Sequence, residues 1–232
     1  MIQAQAQNKD PDVLYTQDEN KLISPSLSKF PSIKPDIKLG ILASGNGSNF
    51  EYIIKAINKK QLNADICILI VNEPNCLAIK KAERYNIPYV IIDHRNCSTR
   101  LEHDELVLKE LSAKSVELVV MAGWMRIVGE KLINKYQYRL INIHPSILPA
   151  FKGMDAIQQA LDQKVTISGC TVHYVQKEVD SGSIIIQGAV PVMKQDDKEK
   201  LTRRIQNIEH LILPFAIGLV ANKIRNKFKD KN

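Results

Sequence analysis

A chain of 232 residues that is 44% hydrophobic and 25% charged has the composition of a globular protein with one large core. No apolar run reaches the roughly 20 residues needed to cross a bilayer, which excludes a membrane-spanning helix. The formal net charge is +7, but the last ten residues, KIRNKFKDKN, carry +4 of it. Charge gathered on a tail, without Tyr and Phe distributed among the basic residues, does not make a nucleic-acid-binding face.

The four cysteines, Cys67, Cys76, Cys97 and Cys170, form no C-x-x-C pair, and no histidine cluster has zinc-ligand spacing. Neither a disulfide framework nor a metal is expected. Cys67 and Cys170 fall in apolar runs, as buried thiols do in a reducing, cytoplasmic setting.

Residues 1–36 are rich in Gln, Asn, Asp, Ser and Pro and have no sustained apolar period. They are expected to be a disordered extension that the domain can lose without effect, and they have no signal-peptide or transit-peptide pattern. From Lys38 onward, KLGILAS (38–44) reads as a strand and NFEYIIKAINKK (49–60) as a helix with Tyr52, Ile53, Ala56 and Ile57 on one face. DICILIVN (65–72) is a strand, LAIKKAERYN (77–86) a helix and PYVIID (88–93) a strand. LEHDELVLKELSAK (101–114) then leads to the strand VELVVMAG (116–123), a short helix near 129–136 and the strand LINIH (140–144). Continuous apolar strands alternating with amphipathic helices predict a doubly wound α/β domain with a mostly parallel sheet.

Beyond residue 165 the pattern changes. TISGCTVHYV (166–175) and SIIIQGAVPV (183–192), joined by QKEVDSG, predict an antiparallel C-terminal part. Asp196 with Glu199 forms a capping-box variant opening a long helix to about residue 224, with Pro214 inside it. Its apolar segment, residues 211–221, suits a buried face. The domain is therefore placed at 37–225, followed by a basic tail at 226–232.

In open α/β sheets ligands bind beyond the carboxyl ends of the strands, and three unusual segments fall there. SGNGSN (44–49) offers glycines for a tight turn and a helix N-terminus, which suit a phosphate or carboxylate. It is neither a P-loop nor G-x-G-x-x-G. GWMRIV (123–128) can wall a flat heterocycle with Trp124, Met125, Ile127 and Val128, although Trp and Met at a strand end also serve as core edge. Asn142 and His144 lie two apart on one strand, so they share a face, and Pro145 ends the strand beside them. An amide can donate to an oxyanion, and an imidazole can pass a proton near neutral pH. Asp180 in KEVDSG can orient His144, or it can cap a turn before Gly182.

Together SGNGSN, MRIV, NIHPSILP, GCTVHYV with VDSG, and RIQNIEH resemble the phosphoribosylglycinamide formyltransferase family, from Lys38 to Phe215. The resemblance implies a formyltransferase-like fold and transfer of a formyl group from 10-formyltetrahydrofolate, a cosubstrate, to the amine of phosphoribosylglycinamide in purine biosynthesis. Its partners would be small molecules, with no metal, nucleic acid or membrane. Residue by residue it implies Asn142, His144 and Asp180 as the catalytic trio. It places the ribonucleotide phosphate at Gly47, Ser48 and Asn49, with Gln206 and Glu209 near the ribose. Folate contacts fall on Arg100, Met125, Arg126, Ile127, Val128 and Asn142, and on the loop from Gln176 to Asp180.

Many members carry a Pro-Gly-Leu-His-like segment where this chain has FKGMDA, with Lys152 and Asp155 at the proline and histidine positions. Three other readings have their own signatures. A formyltetrahydrofolate hydrolase shares the core chemistry but usually carries an N-terminal regulatory domain and lacks SGNGSN. A formyltransferase acting on initiator tRNA carries a C-terminal β-rich domain. A non-enzymatic α/β binding module would keep its ligand without His144.

Overall fold

The structure, a computed structural model, describes residues 14–15, 22–27 and 29–229. Two short strands, β1 (Leu14–Tyr15) and β2 (Leu22–Ser24), precede β3 (Ile37–Ala43), α1 (Ser48–Asn58), β4 (Ala64–Val71), α2 (Leu77–Arg84) and β5 (Tyr89–Ile91). Then come α3 (Arg100–Ala113), β6 (Leu118–Met121), α4 (Glu130–Lys135), β7 (Leu140–His144) and α5 (Ala156–Asp162). The chain ends in β8 (Ile167–Tyr174), β9 (Ile184–Pro191) and α6 (Lys198–Lys229). The strands form one sheet in the order β1-β2-β9-β8-β7-β6-β3-β4-β5. The pairs β3–β4, β3–β6, β4–β5 and β6–β7 are parallel. Those joining β7, β8, β9, β2 and β1 are antiparallel. This is the expected α/β sheet with its antiparallel end.

Alternation along each strand feeds two core layers. Leu39, Ile41 and Ala43 pack under α1, α2, α5 and α6, whereas Leu42 faces α3 and α4. Gly40 also faces the second layer, where a Cβ would lie 2.4 Å from Leu111 Cδ2. A register shift opposite Leu39/Gly40 places Cys67 as the extra residue of β4. The shift lets Ile66 enter the first layer and Ile68 the second despite their even spacing. Cys67 is accordingly only half-buried, unlike Cys170 and unlike the expectation for both. In α1 the buried face is Asn49, Phe50, Ile53, Ile54 and Ala56. Tyr52 instead stacks on His210 at 3.8 Å between ring centroids.

Residues 22–36 depart from the expected disordered extension. β2 adds to the free edge of β9, pairing Leu22 with Ala189 and Ser24 with Gln187. Ile23 and Ile33 are each 1% exposed. Phe30 meets Phe215 edge to face at 5.3 Å. The Arg225 guanidinium donates to the carbonyls of Pro35 at 3.1 Å and Asp36 at 3.0 Å while pairing with Glu117. Composition hid this segment because a few well-spaced apolar residues sufficed once backbone groups of a sheet edge were available to pair. The remainder of the expected extension, apart from β1, lies outside the described residues. A truncation series separates the parts. Removing residues 1–13 should leave the melting temperature within a few degrees. Removing 1–35 strips two buried isoleucines worth about 2 kcal/mol or more each and should lower it by about 10 °C. An unchanged melting temperature after the longer deletion would show that the segment does not dock.

At the other end α6 continues past residue 224 into the expected tail. Its start also shifts by one residue. Asp197, not Asp196, accepts from the Lys200 backbone at 2.7 Å. Asp196 pairs with Arg204 and accepts from the Met193 amide at 2.8 Å.

Candidate active site

The sheet's direction of winding changes between β4 and β6, the two neighbours of β3. Crossover connections leave β3 and β6 toward opposite sides there, opening a crevice at their carboxyl ends. A cavity of about 1130 Å³ occupies it. Every expected site residue except Glu178 of the Gln176–Asp180 loop lines this cavity, including Arg100 at the start of α3 and Gln206 on α6.

At one end lies the glycine turn. Gly47 has φ +65, a left-handed conformation that glycine adopts without a Cβ penalty, and a Cβ there would lie 2.9 Å from the Ala78 Cα. Its carbonyl accepts the first α1 bond from Glu51 N at 3.0 Å and a bond from Lys81 Nζ at 3.3 Å. Lys81 in turn pairs with Glu51 at 2.7 Å, a hydrogen bond that holds the Glu51 carboxyl at about 2. Local sequence gave no hint of Lys81, because its partners are 30 or more residues away in the chain. Asn49 donates to Glu209 at 2.8 Å, both buried. Burial pushes the Glu209 carboxyl up, and the Asn49 amide only partly opposes it. The Asn49 amide oxygen has no partner among the described residues, so the pair still has capacity for a ligand's hydroxyl groups.

The opposite wall is apolar. Met125 is 74% and Ile127 56% exposed, an unusual cost to leave uncovered beside a cavity. Trp124 is buried in the second core layer, stacked near His103 at 5.8 Å. It backs the wall and also contributes to the cavity lining. An exposed apolar surface beside a cavity can receive a flat heterocycle.

Between the two ends stand Asn142 and His144. Ile141 and Ile143, on the other face of β7, fill the core, so alternation leaves the polar pair facing the crevice. Asp180 joins them rather than capping its own turn. Its Oδ2 lies 3.2 Å from His144 Nδ1 and accepts from the Gly153 amide at 2.9 Å. Its Oδ1 lies 3.5 Å from Asn142 Nδ2 and 3.4 Å from His173 Nε2. Burial would raise the Asp180 carboxyl, but the His173 bond, the Gly153 amide and the charges of both rings outweigh it and lower it. Asp180 has φ +49, a conformation uncommon for a non-glycine residue, and holds it where its carboxylate meets both imidazoles.

His173 was not among the residues singled out by sequence. It lies in β8 directly opposite Asn142, 3.3 Å from its amide nitrogen. Only the antiparallel register brings it there, although its place in the GCTVHYV run was a usable signal. Each ring has one nitrogen facing a backbone carbonyl, His144 Nε2 at 2.8 Å from Phe151 O and His173 Nδ1 at 2.9 Å from Tyr174 O. A carbonyl only accepts, so those nitrogens carry protons, and any bond from the other nitrogen to Asp180 needs a second one. Asp155, at the position of the histidine in many family members, instead pairs with Lys198 at 3.0 Å, and Lys152 pairs with Glu178 at 3.4 Å.

Comparison with known proteins gives the chain a family. Residues 37–217 match the family described as "Formyl transferase". Phosphoribosylglycinamide formyltransferase of Bacillus subtilis is 37% identical over 180 residues, 78% of this chain and 92% of that protein. The human trifunctional purine biosynthetic protein adenosine-3 is 40% identical over 189 residues, 82% of this chain but only 19% of that much longer protein. Among solved structures, glycinamide ribonucleotide transformylase 1 from Symbiobacterium toebii superposes with a TM-score of 0.80 at 37% identity, covering 81% of this chain and 89% of that one. The phosphoribosylglycinamide formyltransferase from Bacillus halodurans gives 0.78 at 36% identity, covering 81% and 96%. With its glycine turn, apolar wall and Asn142–His144–Asp180 cluster in one crevice, the chain belongs to the phosphoribosylglycinamide formyltransferase family.

Proposed function

We propose that the protein transfers the formyl group of 10-formyltetrahydrofolate to the amine of 5-phosphoribosylglycinamide, a step of de novo purine biosynthesis that gives formylglycinamide ribonucleotide and tetrahydrofolate. The observation that carries this reading is one cavity with an anion-suited turn at one end, an apolar wall at the other and an acid–base cluster between them. The turn at Gly47, Ser48 and Asn49 receives the phosphate through backbone amides, with Gln206 and Glu209 at the ribose. Met125, Arg126, Ile127 and Val128 receive the folate ring, and Arg100 and the loop from Gln176 to Asp180 complete its site.

The substrate amine attacks the formyl carbon, a C–N bond forms, and the bond from that carbon to folate N10 breaks. One amine proton leaves and N10 gains one. Asn142 and His144 stabilise the oxyanion formed on the way, and Asp180 keeps His144 oriented and charged. For His144 Nε2 to reach the reacting oxygen it must exchange its bond to the Phe151 carbonyl for one to substrate. The segment that supplies this carbonyl has Phe151, Gly153 and Asp155 all at positive φ, so its backbone conformation is costly for two non-glycine residues.

The test offers 10-formyltetrahydrofolate to the purified chain with and without glycinamide ribonucleotide. Tetrahydrofolate release only with the amine supports transfer. Equal release without it means hydrolysis, and no release in either case removes the assignment.

A further inference from the structure

We propose that Ser44 and Asn72 form a positioning pair that fixes the distance between the glycine turn and the apolar wall. The proposal rests on the formyltransferase reading above. Neither residue lines the cavity, and neither belongs to the acid–base cluster.

The last backbone bonds between β3 and β6 run from Ala122 N to Leu42 O and from Ser44 N to Gly123 O, both at 2.9 Å. At Gly123, with φ +82, the chain then turns away from the sheet. The next tie is made by a side chain: the Met125 amide donates to Ser44 Oγ at 2.8 Å. The Ser44 hydroxyl donates to Asn72 Oδ1, 2.6 Å away, and the Asn72 amide nitrogen lies 3.3 Å from His94 Nδ1. Asn72 is 2% exposed, so its amide has little access to water as an alternative partner.

This chain crosses the carboxyl ends of the parallel strands. Ser44 directly precedes the glycine turn, and Met125 begins the exposed part of the apolar wall. One hydroxyl therefore joins the segments assigned to the two substrates. The far end of the wall is pinned separately, by the Gly129 amide donating to the buried Asp104 carboxylate at 2.5 Å. Removing Ser44 Oγ moves the last tie at this end of the wall back to the Ser44 N–Gly123 O bond, two residues before Met125. Formyl transfer needs the amine and the formyl carbon in near-attack contact, and a displacement of about 1 Å can cost about 10²-fold in rate. The loss should appear in turnover more than in affinity for either substrate.

The experiment measures kcat and both KM values for Ser44→Ala, Ser44→Thr and Asn72→Ala, with melting temperatures. Ser44→Ala should lower kcat by about 10-fold or more while each KM changes by no more than about three-fold. Ser44→Thr, which keeps the hydroxyl, should recover most of the loss. The double variant should be no worse than the worse single one, because the pair acts as one link. If Ser44→Ala does not fold, Ser44→Cys, with its weaker donor and acceptor, takes its place and should give an intermediate kcat. Wild-type kcat in a folded Ser44→Ala or Ser44→Cys protein, whatever its melting temperature, overturns the proposal. Inactivity of the unsubstituted chain toward glycinamide ribonucleotide would instead overturn the formyltransferase reading.

Discussion

Asp180→Asn is expected to lower kcat by about 10²-fold or more while both substrates still bind, a loss of the size seen when an oxyanion-stabilising group is removed. The substitution nearly preserves shape, but it removes the charge facing His144 Nδ1 at 3.2 Å and His173 Nε2 at 3.4 Å. With that charge gone the protonated ring is less favoured, so the alkaline limb of the rate profile, where the ring loses its proton, should move to lower pH as the rate drops. His144→Ala should cost a similar factor. The double variant should be little worse than the worse single one, because a missing ring cannot be oriented. Multiplicative losses would separate Asp180 from His144 and give the carboxylate an independent task. Stability offers a second readout. The Asp180 carboxyl is lowered below its ordinary 3.8, so its contribution is present above that pH and is lost as pH falls below it. Asp180→Asn should remove this part of the acid sensitivity.

Gly47→Val should raise the ribonucleotide KM by well over 10-fold and leave the folate KM nearly unchanged. The reason is conformational before it is steric toward ligand. A β-branched residue at φ +65 pays about 1–2 kcal/mol for the left-handed conformation, and its Cβ would press on the Ala78 backbone at 2.9 Å. Relief requires the turn to move, and with it the amides assigned to the phosphate. Gly47→Ala should give the same pattern at smaller size. Equal effects on both KM values in a folded variant would remove the phosphate from this turn.

What the sequence disclosed was the part governed by period and spacing. Alternating apolar strands and helices predicted the parallel sheet, and the two-residue spacing of Asn142 and His144 placed both on one face. Spacing could not reveal contacts made across strands. His173 reaches Asn142 only through the β7–β8 register, and Lys81 reaches Gly47 only because α2 packs beside α1. Composition misjudged residues 22–36 for a related reason. Their stabilisation depends on an edge supplied by β9 and on Phe215 and Arg225, more than 150 residues away. Sequence likewise could not separate Asp180 as a turn cap from Asp180 as a partner of His144, since both begin from the same local motif.

The strand formed by Leu22–Ser24 also bears on the protein's behaviour at high concentration. β9 is eight residues long, and left bare its outer edge would present a row of unpaired backbone groups to any passing chain. With β2 laid along part of it, the described sheet ends in a two-residue strand at one margin and the three-residue β5 at the other. Covering Gln187–Ala189 takes those groups out of reach of an incoming strand, so the arm should act against aggregation as well as thermal unfolding.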